Sequence, residues 1–291
     1  MVFKDKIKIA LLFPLSFFSS LFQRRPNVNS KEDTLKELGM KSISRFGDGE
    51  LQIMLGLGIK FQKKDSVLRK RLIEIASSKQ NDCIVAIPPV FRKSDLGKLE
   101  SRCSNWWKRN LLFTRGHWYR LFKNNSYFDS FISRFYLEYS NKNDASIMSY
   151  IKKMKCIWEG KDILFVEGDK SRLGVGNDLF DNAKSTRRIL CPSNDAFSKY
   201  EIILSAVLKN SSSDDLIICA LGPTASVLAY DLSNKGRHAL DLGHVDVEYE
   251  WFRKKATTAI NLEEKYVSES GQAFIENNEF FVKNVICDLS K

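Results

Sequence analysis

Histidine is scarce. The 291 residues hold only His117, His238 and His244, and no two of them stand at a spacing that would grip a zinc ion. The six cysteines, Cys83, Cys103, Cys156, Cys191, Cys219 and Cys287, form no C-x-x-C pair, and several lie inside apolar runs. That excludes a disulfide framework legible in the spacing and favours reduced core residues of a cytoplasmic protein. No fixed-period repeat or low-complexity tract is present, so solenoids and composition-driven disorder are excluded as well. Long hydrophobic runs are missing too. The stretch Ile9 to Phe22 has fourteen residues, against the ~20 that a spanning helix needs. Pro14 interrupts it, and Gln23-Arg24-Arg25 stands where a signal peptide would carry small residues.

What is present is positive charge on an ordinary globular composition. Lys and Arg outnumber Asp and Glu by 46 to 35, a net +11, so an anionic partner is expected: a nucleotide, a phospholipid surface or nucleic acid. No recognised nucleic-acid module occurs, so nucleic acid is not expected. Lys4, Lys6 and Lys8 precede the apolar stretch, and Arg24 and Arg25 follow it. Residues 1–29 therefore read either as a segment that lies on an anionic membrane, peripheral to the inner face of the plasma membrane, or as a helix packed on the domain.

Residues 30–291 read as one α/β domain. Ser30 with Asp33 opens a helix through Leu38. Strands are expected at Ser42–Phe46, Cys83–Ile87, Ile163–Val166, Arg188–Cys191, Leu216–Leu221 and Ala239–Leu242. Helices are expected at Leu51–Leu55, Val67–Ser77, near Asn177–Ala183, at Ala196–Leu208 and at Pro223–Ser233. Strands alternating with helices imply a Rossmann-like, mostly parallel sheet with helices on both faces. A helical insertion at about 92–155, where Trp106, Trp107, Trp118, Tyr119 and Phe122 alternate with basic residues, interrupts the pattern. It serves either core packing or the binding of acceptor or membrane.

Ligands of such sheets bind beyond the carboxyl ends of the strands, and four distinctive segments fall there. In Arg45-Phe46-Gly47-Asp48-Gly49-Glu50, two carboxylates one residue apart in an extended segment would face the same way and suit a hard cation, while the glycines admit close backbone approach. Glu167 to Asp178 is a Gly-rich loop after a strand. It is neither a P-loop nor a full dinucleotide fingerprint, but it can wrap a nucleotide, with Lys170 and Arg172 available to phosphate. Leu221-Gly222-Pro223-Thr224 is a strand-to-helix turn suited to an anion. Asp241 to Trp251 packs four acids and His244 at a strand end.

In this order the segments resemble the GT-D-type bacterial glycosyltransferases, a family whose domain was first catalogued as one of unknown function. The likeness rests on R-F-G-D-G-E, E-G-x-x-x-R-x-G-x-G-N-D, R-x-x-x-P at Arg188 to Pro192, L-G-P-T, and D-x-G-H-x-D-x-E-Y-E-W, and it covers about Ser42 to Trp251. It implies a UDP-sugar donor and a divalent cation, Mn²⁺ or Mg²⁺, on Asp48 and Glu50. On that basis Arg45, Gly47, Arg172 and the Gly222-Pro223-Thr224 turn are candidates for the diphosphate. Gly174, Gly176, Asn177 and Asp178 would cover the nucleoside. His244, Asp246 and Glu248 are candidates for the base that takes the acceptor proton, with the two acids ranked first. The expected activity is transfer of a hexose to a glycan acceptor, lipid-linked where the enzyme meets a membrane, in bacterial cell-surface polysaccharide or glycoprotein synthesis. A metal-dependent phosphotransferase or phosphohydrolase would use the same acids. A non-enzymatic basic scaffold would need neither Asp48 nor Glu50.

Overall fold

The protein is described by a computed structural model covering residues 23–79, 81–124, 126–262, 265, 267 and 279–291. The whole apolar N-terminal stretch Ile9 to Phe22 and its leading lysines lie outside the described residues. Among the described residues, no helix is long and apolar enough to cross a membrane.

Eight strands form one sheet in which every pairing is parallel: β1 (Ser42–Arg45), β2 (Cys83–Ile87), β3 (Phe128–Asp129), β4 (Asp162–Gly168), β5 (Ser185–Cys191), β6 (Leu216–Ala220), β7 (His238–Asp241) and β8 (Val285–Asp288). Their order across the sheet is β3-β2-β1-β7-β6-β4-β5-β8. The central strands are buried on both faces, which is why they read as continuous apolar runs such as Cys-Ile-Val-Ala-Ile in β2. Period-2 alternation then sends Ile43, Phe165, Ile218 and Leu240 to one core and Val85, Val166, Ile217 and Ala239 to the other.

The helices follow from local chemistry. In α1 (Lys31–Leu38), Ser30 Oγ accepts from the Asp33 amide at 3.1 Å. α2 is Asp48–Met54. Ahead of α3 (Ser66–Ala76), Asp65 accepts from both the Val67 and the Leu68 amides at 2.8 Å. The insertion contributes α4 (Lys93–Leu96), α5 (Ser101–Leu121), strand β3, a 3₁₀ turn Ser130–Ser133, and α6 (Asp144–Lys155). Trp107, Leu111 and Trp118 of α5 are buried in the core, while Trp106 is exposed. α7 (Tyr200–Asn210), α8 (Pro223–Ser233), α9 (Val245–Arg253) and α10 (Glu279–Lys283) are the remaining helices among the described residues.

Four expectations differ. Helix α2 begins at Asp48 rather than at Leu51, so Asp48 and Glu50 sit in a first helical turn and not in an extended segment. At about 100° per residue they point to different sides of the helix. Asn177–Ala183 forms turns rather than a helix: Asn177 Oδ1 accepts from the Leu179 amide at 3.0 Å, and Gly174 and Gly176 hold left-handed backbone at φ 74° and 79°. The segment after β7, for which no helix was expected, is α9, with His244 at its N-cap in left-handed conformation. Strands β3 and β8 were not expected. β3 is two residues long, and β8 lies beyond the segments that carried any signal.

Gly174 is needed where it stands. A Cβ there would lie 2.8 Å from Phe180 Cδ2, on a ring wedged between Trp158 and Phe165. Gly174→Ala is therefore expected to lower stability by about 1–3 kcal/mol in urea denaturation, from left-handed strain and the clash together.

Candidate functional site

The outgoing connections of β1 and β7 diverge. β1 leads through α2 and α3 to β2 on one side, while β7 leads into α9, which packs toward the loop after β4. Adjacent strands with diverging exits open a crevice at their carboxyl ends, the place where open α/β sheets bind ligands.

Arg45 ties that crevice together. Its Nε donates to the Asp241 carbonyl at 2.5 Å. Nη1 donates to the Ser130 carbonyl at 3.2 Å and to Ser133 Oγ at 2.6 Å. Nη2 donates to Asp241 Oδ1 at 2.9 Å and to the Gly243 carbonyl at 3.1 Å. Five N–H donors thus meet five protein acceptors, and the guanidinium is built into the scaffold rather than turned to a phosphate. Asp241 is the counterpart: its Oδ2 also accepts from the Arg45 amide at 3.2 Å and lies 3.2 Å from Ser226 Oγ.

Asp48 and Glu50 are half-buried at the N-terminus of α2, three and five residues past Arg45. Glu50 Oε2 accepts from the Gly47 amide at 2.7 Å, closing the helix start. Burial pushes the Glu50 carboxyl up to about 7, with Asp241 and Asp48 pushing the same way against the Glu50 and Gly47 amides. Burial also raises Asp48, opposed by the Arg134 guanidinium. Carboxylates that repel one another in a crowded crevice are stabilised by a cation. No group of three or more His, Cys, Asp or Glu at metal-binding geometry occurs among the described residues. The two point to different sides of the helix, so either carboxyl singly could give a hard divalent ion one oxygen ligand, with phosphate and water completing the shell.

The second and fourth motifs come together as a stitched scaffold. Asn177 Nδ2 donates to Asp246 Oδ1 at 2.6 Å, and Lys265 Nζ is ion-paired with Asp246 Oδ2. Tyr249 Oη donates to Asp178 Oδ1 at 2.6 Å, a bond that holds the Asp178 carboxyl below its ordinary range. Arg253 Nη1 donates to the Gly176 carbonyl at 3.3 Å. Asp246 and Glu248 are both 0% exposed. Glu248 Oε2 accepts from the Tyr136 and Leu137 amides at 2.8 and 3.0 Å, and its Oε1 is buried without a hydrogen-bond partner. Of the three candidates for the base, His244 alone is half-buried rather than enclosed.

Arg172 is 4% exposed and lies over the Phe281 ring at 4.5 Å, so it too belongs to the interior. Arg188 pairs with Glu167 and donates to the Leu173 carbonyl at 2.6 Å, fixing the Gly-rich loop from below. At the turn before α8, Gly222 is exposed while Pro223 and Thr224 are buried. The Phe61 ring lies so close that a Cβ on Gly222 would be 2.6 Å from its Cε2. Ser133, Lys265 and Phe61 were not singled out by spacing, and Asp241 was given no role of its own, because each matters only through a contact distant in sequence.

Residues 43–270 match the family model described as glycosyltransferase GT-D fold. The chain belongs to the GT-D glycosyltransferase fold family. A solved GT-D relative, described as a new glycosyltransferase from Streptococcus sanguinis, is 37% identical, with a TM-score of 0.86 over 91% of this chain and 99% of that one. Another, described as a domain of unknown function 1792 with a distinct glycosyltransferase fold, is 35% identical at the same TM-score, over 94% and 99%. A probable glycosyl transferase Gly of Streptococcus gordonii is 40% identical over 84% of this chain, and glycosyltransferase GlyD of Streptococcus pneumoniae is 38% identical over 78%. The chain spans 35% and 28% of the lengths of those two curated relatives.

Burial drives Glu248 of this GT-D chain up to about 7 from an ordinary 4.5, with Glu138 adding to the shift and Arg134 and the two amides opposing it. A carboxyl raised in the folded state contributes stability that is fully present below about 4.5 and lost as pH rises through about 7. Glu248→Gln keeps an oxygen for both amides and removes the titration. The stability of the variant relative to wild type should therefore rise between those pH values and level off above. Parallel urea curves across that window would contradict the assignment.

Proposed function

We propose that this chain is a metal-dependent glycosyltransferase that moves a hexose from a UDP-sugar to a glycan acceptor in bacterial cell-surface polysaccharide or glycoprotein synthesis. The observation that carries the reading is the half-buried pair Asp48 and Glu50 at a helix N-terminus, at the diverging exits of β1 and β7, in a chain of the GT-D family. Asp48 and Glu50 would hold a divalent ion, Mn²⁺ or Mg²⁺, whose chemistry is to offset negative charge on the departing diphosphate. Gly174, Gly176, Asn177 and Asp178 remain the candidates to cover the nucleoside, because each is at least partly exposed.

Exposure also ranks the base. Asp246 is enclosed, with both oxygens engaged by Asn177 and Lys265, and Glu248 is enclosed beneath the 136–137 amides. His244 is the candidate that an acceptor hydroxyl can reach, and an imidazole is matched to proton transfer near neutral pH. A lipid-linked acceptor would suit the basic, apolar N-terminal segment, which would hold the enzyme at the inner membrane face.

The test is turnover of a panel of UDP-sugars, with and without glycan acceptors, in Mn²⁺, Mg²⁺ and EDTA. Transfer should stop in EDTA and return with either ion, and Asp48→Asn should lower it by about 10²-fold or more. His244→Asn should lower kcat by about 10²-fold with UDP affinity little changed. Transfer that survives both EDTA and Asp48→Asn would refute the metal assignment. Release of phosphate without any sugar transfer would instead favour a phosphohydrolase.

A further inference from the structure

Helix α5 carries Arg102, Lys108, Arg109, Arg115 and Arg120 and not one Asp or Glu. All five cations are exposed, and no carboxylate pairs with any of them among the described residues. Glu100, the acid at the N-cap, is turned to the Arg102 amide at 2.7 Å. Like charges along one helix repel, so folding alone does not favour gathering them there. Arg102, Trp106, Arg109, Leu112 and Arg115 follow one another at steps of four, three, three and three residues, which puts them on one side of the helix. Trp106 is 44% exposed and Leu112 51%. Apolar groups set among cations, on a helix whose other side is core, suit the interface of an anionic bilayer.

The inner side of α5 reaches the site. Trp107 packs on Phe131 of the 3₁₀ turn with ring centroids 6.0 Å apart, and Phe122, which caps the helix, packs on Phe46 at 5.3 Å. Phe131 stands between the two serines that accept from Arg45, and Phe46 follows Arg45 in the chain. The outer face is therefore one helix diameter, about 10 Å, from elements that frame the crevice. The N-terminal part of the chain is anchored at the same helix end. The Tyr127 amide donates to the Asn27 carbonyl at 2.8 Å, the Asn29 amide donates to the Tyr127 carbonyl at 2.8 Å, and the Tyr127 ring packs on Phe122 at 5.5 Å. The basic-flanked apolar stretch of the sequence thus joins the domain beside α5.

We infer that the outer face of α5 docks on an anionic phospholipid surface, with Trp106 and Leu112 among the headgroups and the five cations against lipid phosphates. A bilayer held there brings the crevice within reach of a lipid-linked acceptor. The inference goes beyond the donor chemistry above, and its readout needs no turnover.

The full chain is sedimented with vesicles of equimolar phosphatidylglycerol and phosphatidylcholine, and with vesicles of phosphatidylcholine alone, for wild type and Arg109→Gln/Arg115→Gln. A basic residue near an anionic surface strengthens binding about five-fold, so the double variant should bind the mixed vesicles about 25-fold more weakly. Its melting temperature should be unchanged, because Gln matches Arg in helix propensity and both sites are exposed. Wild type should bind phosphatidylcholine alone far more weakly, and raising the salt should release it from the mixed vesicles. Equal binding of the double variant and wild type would overturn the inference and leave attachment to the N-terminal segment alone. A wild-type chain that binds neither vesicle would also overturn it, and salt-sensitive binding of a duplex oligonucleotide in their place would assign the face to nucleic acid. None of these outcomes touches the nucleotide-sugar reading, which turnover with a soluble acceptor tests separately.

Discussion

The site depends on one buried hydrogen-bonded knot. Arg45 is the last residue of β1, and its guanidinium reaches the end of β7, the turn after β7 and the 3₁₀ turn of the insertion at once. A planar fork with five donors can bind that many separate acceptors without strain, whereas a lysine in its place would leave most of them unmade. Unpaired acceptors in so enclosed a position cost more than the bonds themselves contribute. The knot therefore fixes, in one step, where α2 begins, where α9 begins and where the Ser130–Ser133 turn lies.

The acidic residues divide by their surroundings. Glu167, Asp241 and Asp246 are each paired with a cation, respectively Arg188, Arg45 and Lys265, and serve the frame. Asp48 and Glu50 have no such ion pair among the described residues and are left half-buried, with their carboxyls raised. Raised carboxyls in a crevice mark functional sites because folding alone does not favour them. The enclosed arginines hold the loops in the same way, Arg188 on Glu167 and the Leu173 carbonyl and Arg45 on Asp241.

The parallel sheet was legible in the sequence because buried strands are continuous apolar runs, and the strands expected at 42–46, 83–87, 163–166, 188–191, 216–221 and 239–242 all form within a few residues. Helix α8 was legible to the residue, since Gly222 and Pro223 mark its start. The resemblance to the GT-D family was carried by motif order and is matched by the fold and the relatives. Roles inside the motifs were much less legible. Whether Arg45 or Arg172 meets a ligand depends on partners 85 to 198 residues away for the one and on the tail ring of Phe281 for the other, which local spacing does not encode. Helix α9 was not expected, since its acids outnumber what a buried helix ordinarily carries. Asp246 and Glu248 are tolerated there because Asn177, Lys265 and two backbone amides receive them.

The central claim is that the crevice between β1 and β7, framed by the Arg45 knot, holds the donor phosphates. A crystal of the chain soaked with UDP and Mn²⁺ tests it most directly, through the anomalous signal of the metal. The account predicts one Mn²⁺ on the Asp48 or Glu50 carboxylate, with the diphosphate beside it at the start of α2. Nucleotide bound with its phosphates away from α2, and no metal signal at Asp48 or Glu50, would contradict it.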